Sequence, residues 1–175
     1  MTTKNSYAAS LTMPSEREIV MTRVFDAPRK LVFQVYTDPQ QIPYWWGKRS
    51  HTTRVDRMDV RAGGLWRYIE RDEDGNEYCF NGEYREIVPP EKIVNTFEFE
   101  GMPGHIGLVT SIFEELADGR TRLTETSVFP YMEDRDEMIA SGMEEGANET
   151  WDRLAEVLAG AARCGALCKS RSTRR

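Results

Sequence analysis

Histidine and cysteine are the scarcest chemical resources of this 175-residue chain, with two of the first and three of the second. His51 and His105 lie far apart, without the spacing of a metal-binding pair. Cys79, Cys164 and Cys168 are an odd set, too few for a disulfide framework, and fit free thiols in a reducing, cytoplasmic compartment. Cys164 and Cys168 lack the second ligand pair that a structural zinc needs, so no metal is expected. No phosphate loop, nucleophile elbow or dinucleotide fingerprint occurs, and no cofactor is expected. No apolar run approaches the ~20 residues of a membrane span, and MTTKNSYAASLTMPS has no apolar centre for a secretory signal. Positive charge is in deficit too: the formal net charge of −6 argues against nucleic acid as a partner. The one basic run, Arg163, Lys169, Arg171, Arg174 and Arg175, falls in the tail.

What is present is one long amphipathic stretch, Glu133 to Ala159. At helical spacing Ile139, Met143, Ala147, Thr150, Leu154, Val157 and Leu158 share a face, with Gly142 and Gly146 along one edge and Trp151 on the other. Glu145, Asn148, Glu149, Asp152 and Glu156 take the opposite side. The acidic run Glu133–Glu137 reads as the helix start, with Asp134 and Glu137 as a capping pair. Each glycine costs roughly 1 kcal/mol against alanine in a helix interior. The pair therefore marks a close backbone approach, a local break, or space left for something else.

Upstream, residues 1–15 are polar and aperiodic and are expected to be disordered. Glu16 to Asp26 reads as a strand, and Pro28 opens a short helix carrying Leu31, Val32, Val35 and Tyr36. Asp38-Pro39 restarts a second helix that carries Ile42, Trp45 and Trp46 and stops at Gly47. From His51 the period becomes two. Strands are expected at about Thr52–Val60, Leu65–Arg71, Asn76–Val88, Lys92–Glu100, Ile106–Glu115 and Thr121–Phe129, with turns rich in glycine, proline and aspartate between them. Such short connections specify an antiparallel meander. One domain over residues 16–160 follows, with a disordered basic tail over 161–175.

The strand aromatics come in pairs that share a face: Trp66 with Tyr68, Tyr78 with Phe80, Phe97 with Phe99. Joined by Trp46, Met102 and Met143, they form either a packed aromatic core or the apolar lining of a pocket with a few polar handles. Catalytic signals are weaker. His105, beside Met102-Pro103-Gly104 at a strand end, is the one candidate acid or base at a pocket mouth. Glu83 and Glu125, inside strands, are expected to face solvent.

The stretches DAPRKLVFQVYTDPQQIPYWWG, DVRAGGLWRYIERDEDGNEYCFNGEYREIVPPEKIVNTFEFEGMPG and SGMEEGANETWDRLAEVLA resemble the AHSA1-type (activator of Hsp90 ATPase homologue 1-like) members of the START/Bet v 1, or SRPBCC, superfamily. The likeness runs from about Glu18 to Ala159. It implies an α+β helix-grip fold: a curved antiparallel sheet around a long C-terminal helix, two short helices after the first strand, and a hydrophobic cavity between sheet and helix. EFEGMPGH and SGMEEGANE are also similar to the antibiotic-binding self-resistance branch. The implied function is binding of a small hydrophobic, aromatic or polyketide-like molecule by Trp46, Trp66, Tyr68, Tyr78, Phe80, Phe97, Phe99, Met102, His105, Met143 and Gly146. The alternatives are a cyclase/aromatase-like or hydrolytic enzyme using His105 in the same cavity, and an Hsp90-type co-chaperone. The family's Hsp90 activators carry a further N-terminal domain, and only about fifteen polar residues precede the first strand here, which argues against a chaperone partner. Homodimerisation is left open.

Overall fold

The computed structural model describes residues 8–172, with side chains through residue 163. Strands β1 (Ser10–Thr12), β2 (Glu18–Phe25), β3 (Thr52–Met58), β4 (Leu65–Arg71), β5 (Glu77–Val88), β6 (Lys92–Phe99), β7 (Gly107–Glu115) and β8 (Thr121–Val128) form one antiparallel sheet in the order β1-β2-β8-β7-β6-β5-β4-β3. Between β2 and β3 lie α1 (Arg29–Thr37) and α2 (Ile42–Trp45); after β8 come α3 (Met132–Ala140) and α4 (Met143–Ser172). The first long strand thus pairs with the last, while the meander β3–β8 supplies the rest. Register shifts at Val55/Arg57 and Tyr84/Glu86 mark bulges that bend the sheet.

Strand alternation decides the layers. On β2, Ile19, Met21, Arg23 and Phe25 point inward and are buried. On β8 the inward set begins with Thr121 and Leu123, both wholly buried. Helix α4 covers this face with Trp151, Leu154 and Leu158, none more than 2% exposed. Such side chains contribute roughly 2 kcal/mol each by leaving water. Helix α1 closes the same end: Phe33 and Tyr36 pack edge-on against Phe113 of β7 at 5.3 and 5.2 Å, and Tyr36 meets Trp45 of α2 at 4.7 Å.

One buried position of β2 is charged. Arg23 Nη1 donates to Asp152 of α4 at 2.6 Å, and its guanidinium lies over the Phe25 ring. The Arg23 side chain is 2% exposed, whereas Asp152 is 56% exposed. Asp152→Ala would strand a buried cation, but water reaches the Asp152 side. The expected loss is therefore about 2 kcal/mol, below the ~3–5 of a fully enclosed pair. Urea unfolding checks it, and a loss no larger than that of Glu145→Ala would assign the pair no structural weight.

Four differences from the sequence reading concern the secondary structure. Ser10–Thr12, expected to be unstructured, adds to the sheet edge through Leu11↔Met21. The long helix is two helices, because Gly142 takes φ +81° and ends α3; glycine adopts this left-handed conformation without steric cost. The expected cap formed by Asp134 and Glu137 is absent: Tyr131 holds the N-cap position of α3 with no side-chain cap bond. Finally, α4 runs on to Ser172 although the apolar pattern stops near Gly160. Its continuation is rich in Ala, Arg, Leu and Lys, all strong helix formers. The side chains of Cys164 and Cys168 lie outside those described.

Candidate ligand cavity

The packed core does not fill all of the space between sheet and helices. Beyond the row formed by Met21, Glu125, Ser111 and Ile93, which face one another across β2, β8, β7 and β6, the interior opens into a cavity of about 640 Å³. Its floor is the inward face of β4–β8 and its roof is α3 with the first turns of α4.

All eleven residues assigned to the pocket from sequence line this space. Trp66 and Tyr68 of β4, Tyr78 and Phe80 of β5, and Phe97 and Phe99 of β6 do so because each pair sits two apart on the inward phase of its strand. All but Tyr78 touch as one lattice: Trp66 with Tyr68 at 4.8 Å and with Phe97 at 5.9 Å, Phe80 with Phe97 at 5.6 Å and with Phe99 at 5.3 Å. Trp46 enters from the loop after α2 and packs edge-on against Tyr68 and Phe80 at 5.1 and 5.2 Å. The backbone behind it is pinned. Arg153 of α4 donates to the carbonyls of Trp46, Gly47 and Lys48 at 3.2, 2.8 and 3.3 Å, and Thr53 donates to Trp46 O at 2.8 Å.

Met102, His105 and Gly142 are exposed and rim the mouth. Met143, Gly146, Ala147 and Thr150 form the roof. A Cβ built on Gly142 or on Gly146 meets nothing within 4 Å. That excludes close backbone packing as the reason for either glycine. Gly142 ends a helix, and Gly146 leaves volume.

Several polar groups at the cavity are held by neighbours. His105 Nδ1 lies 2.6 Å from Asp134 Oδ1, so the residue expected to cap a helix instead orients the histidine, leaving its other nitrogen for the mouth. At the opposite side His51 Nδ1 lies 2.7 Å from Glu70 Oε2 and its ring stacks on Tyr78 at 5.7 Å. Burial, reinforced by Tyr84, pushes the Tyr68 phenol well above its ordinary value; burial takes Tyr84 to about 12. Both remain neutral donors.

Glu125 corrects an expectation: it faces inward, not solvent. Its accessible part opens on the cavity rather than on bulk water. Oε1 accepts hydrogen bonds from the Tyr36 hydroxyl and from Ser111 Oγ, the latter at 3.0 Å. Burial raises its pKa, against the lowering effect of Tyr36 and Ser111, while burial and then Glu125 itself raise that of Tyr36. The signal was in the strand period, since Glu125 is in phase with Leu123, Ser127 and Phe129. Because the folded-state value lies above the 4.5 of a free glutamate, the folded chain keeps a proton that the unfolded chain has released. The associated stability is complete below that value and is lost as pH rises through the folded one. Glu125→Gln keeps the shape without the charge, so its melting temperature relative to the parent should climb as pH is raised from below the free-glutamate value into the alkaline range. A flat difference across that range would mean the carboxyl ionises freely.

A sheet that grips a long C-terminal helix over a deep apolar cavity defines the helix-grip class of α+β proteins. Within it, the chain belongs to the activator of Hsp90 ATPase homolog 1-like family, whose model matches residues 26–159. A protein from Arthrobacter aurescens is 26% identical with a TM-score of 0.79, covering 86% of this chain and 91% of its own. One from Rhodobacter sphaeroides is 22% identical with a TM-score of 0.82, covering 87% and 99%. The AHSA1 protein from Silicibacter pomeroyi is 21% identical with a TM-score of 0.67, covering 81% and 97%. No curated protein matches the chain. Among the described residues no helix is long and apolar enough to cross a membrane.

Proposed function

We propose that this protein binds one small hydrophobic, aromatic molecule between its sheet and α4, for sequestration or carriage. The observation that carries the reading is the 640 Å³ space walled by aromatic rings, beside a core of buried side chains. Volumes of this order accommodate drug-sized ligands, and apolar walls with a few fixed polar groups are what such ligands need. The similarity of EFEGMPGH and SGMEEGANE to antibiotic self-resistance proteins points to a polycyclic ligand. Those stretches supply Met102 and His105 at the mouth and Met143 and Gly146 in the roof. Titration with anthracenylmethanol, a neutral tricyclic fluorophore, tests the reading: saturable binding at one molecule per chain supports it, and no saturable binding defeats it.

A further inference from the structure

We infer that the ligand is a hydrophobic cation, an aromatic body with a protonated amine that seats on Glu125. This deepens the binding proposal above and rests on it. The charge of the lining is one-sided. Among the described residues four carboxyl groups line the space, those of Glu70, Glu125, Asp134 and Glu137, against a single lysine, Lys48, and no arginine. Two of the four already have imidazole partners: Glu70 has His51 at 2.7 Å and Asp134 has His105 at 2.6 Å.

Glu125 is different. Its partners Tyr36 and Ser111 are hydroxyl donors, and both bonds end on Oε1. A carboxyl removed from bulk water with no cation beside it among the described residues holds its proton, and an ammonium group placed beside it favours the ionised form through a charge-assisted hydrogen bond to Oε2. The walls fit the same ligand. Trp46, Tyr68, Phe80 and Trp66 line the same space, and aromatic rings of this kind attract a cation and stack on an aromatic body. The acidic lining repels a carboxylate or phosphate, and a neutral ligand draws no charge-assisted bond from Glu125.

The experiment compares anthracenylmethylammonium, anthracenylmethanol and anthracenylacetate, three ligands of one shape and different charge, on the wild type and on Glu125→Gln near neutral pH. In the wild type the amine should bind at least about tenfold more tightly than the alcohol, and the acid more weakly than either. In Glu125→Gln the preference for the amine over the alcohol should shrink to about twofold. Retained alcohol binding also shows that the variant is folded. Equal binding of amine and alcohol by the wild type overturns the inference and leaves the binding proposal standing. A preference that survives Glu125→Gln overturns the assignment to this carboxyl. If none of the three binds, both readings fall together.

Discussion

Gly146→Leu should abolish ligand binding while leaving the fold intact. Gly146 sits in the first turn of α4 on the roof of the cavity, and a Cβ at this position meets nothing within 4 Å. A leucine there therefore projects its branched end into the space a ligand would fill, without displacing a neighbour. The helix itself gains, because leucine is favoured over glycine in a helix by roughly 1 kcal/mol. Anthracenylmethanol affinity should fall by at least about tenfold, with a melting temperature equal to or above that of the wild type. Gly146→Ala, which adds one methyl group, should stabilise the helix with a much smaller effect on binding. Equal affinity in the leucine variant would place the ligand elsewhere.

The second large effect is expected at Gly82, for the opposite reason. On β5 it lies opposite Trp66 of β4, where the ladder to β6 opens and Glu83 N bonds the Thr96 hydroxyl at 2.8 Å. A Cβ on Gly82 would overlap the Thr96 carbonyl oxygen and stand 2.5 Å from Trp66 Nε1. One neighbour is backbone in the sheet; the other is a ring 4% exposed in the cavity wall. Neither can yield cheaply. Gly82→Ala is expected to cost about 3 kcal/mol, the upper end of ordinary overpacking, and to change the tryptophan emission as Trp66 moves. Urea unfolding followed by fluorescence reads both quantities. A loss below about 0.5 kcal/mol would mean that β5 and β6 separate easily at this point.

The cavity wall was legible in the sequence, and its depth was not. Strand period is two, so pairs such as Trp66 and Tyr68 or Phe97 and Phe99 announce a common face by their spacing alone. Which face is inward followed from the one long amphipathic stretch available to cover it. Packing density had no such signature. Whether the aromatic face closed on itself or enclosed space depended on how far α3 and α4 stand off the sheet, which no local pattern records. The break at Gly142 escaped because the apolar spacing continues across it: Ile139 and Met143 pack toward the core on either side. Glu125 was misplaced by the general expectation that carboxylates seek water, although its phase with Leu123 and Phe129 pointed inward. Asp134 looked like a cap because sequence neighbours are visible and His105, 29 residues away, is not.

The location of the bound ligand can be read directly from intermolecular NOEs between anthracenylmethanol and the protein's methyl groups. Contacts should appear to Met143 and Ala147 of the roof and to Val109 of the floor, all of which line the cavity. Leu108 and Ile112, exposed on the outward phase of β7, should give none. NOEs to Leu108 and Ile112 without any to Met143 would mean that the outer surface of the sheet, not the space under α4, is where this protein binds.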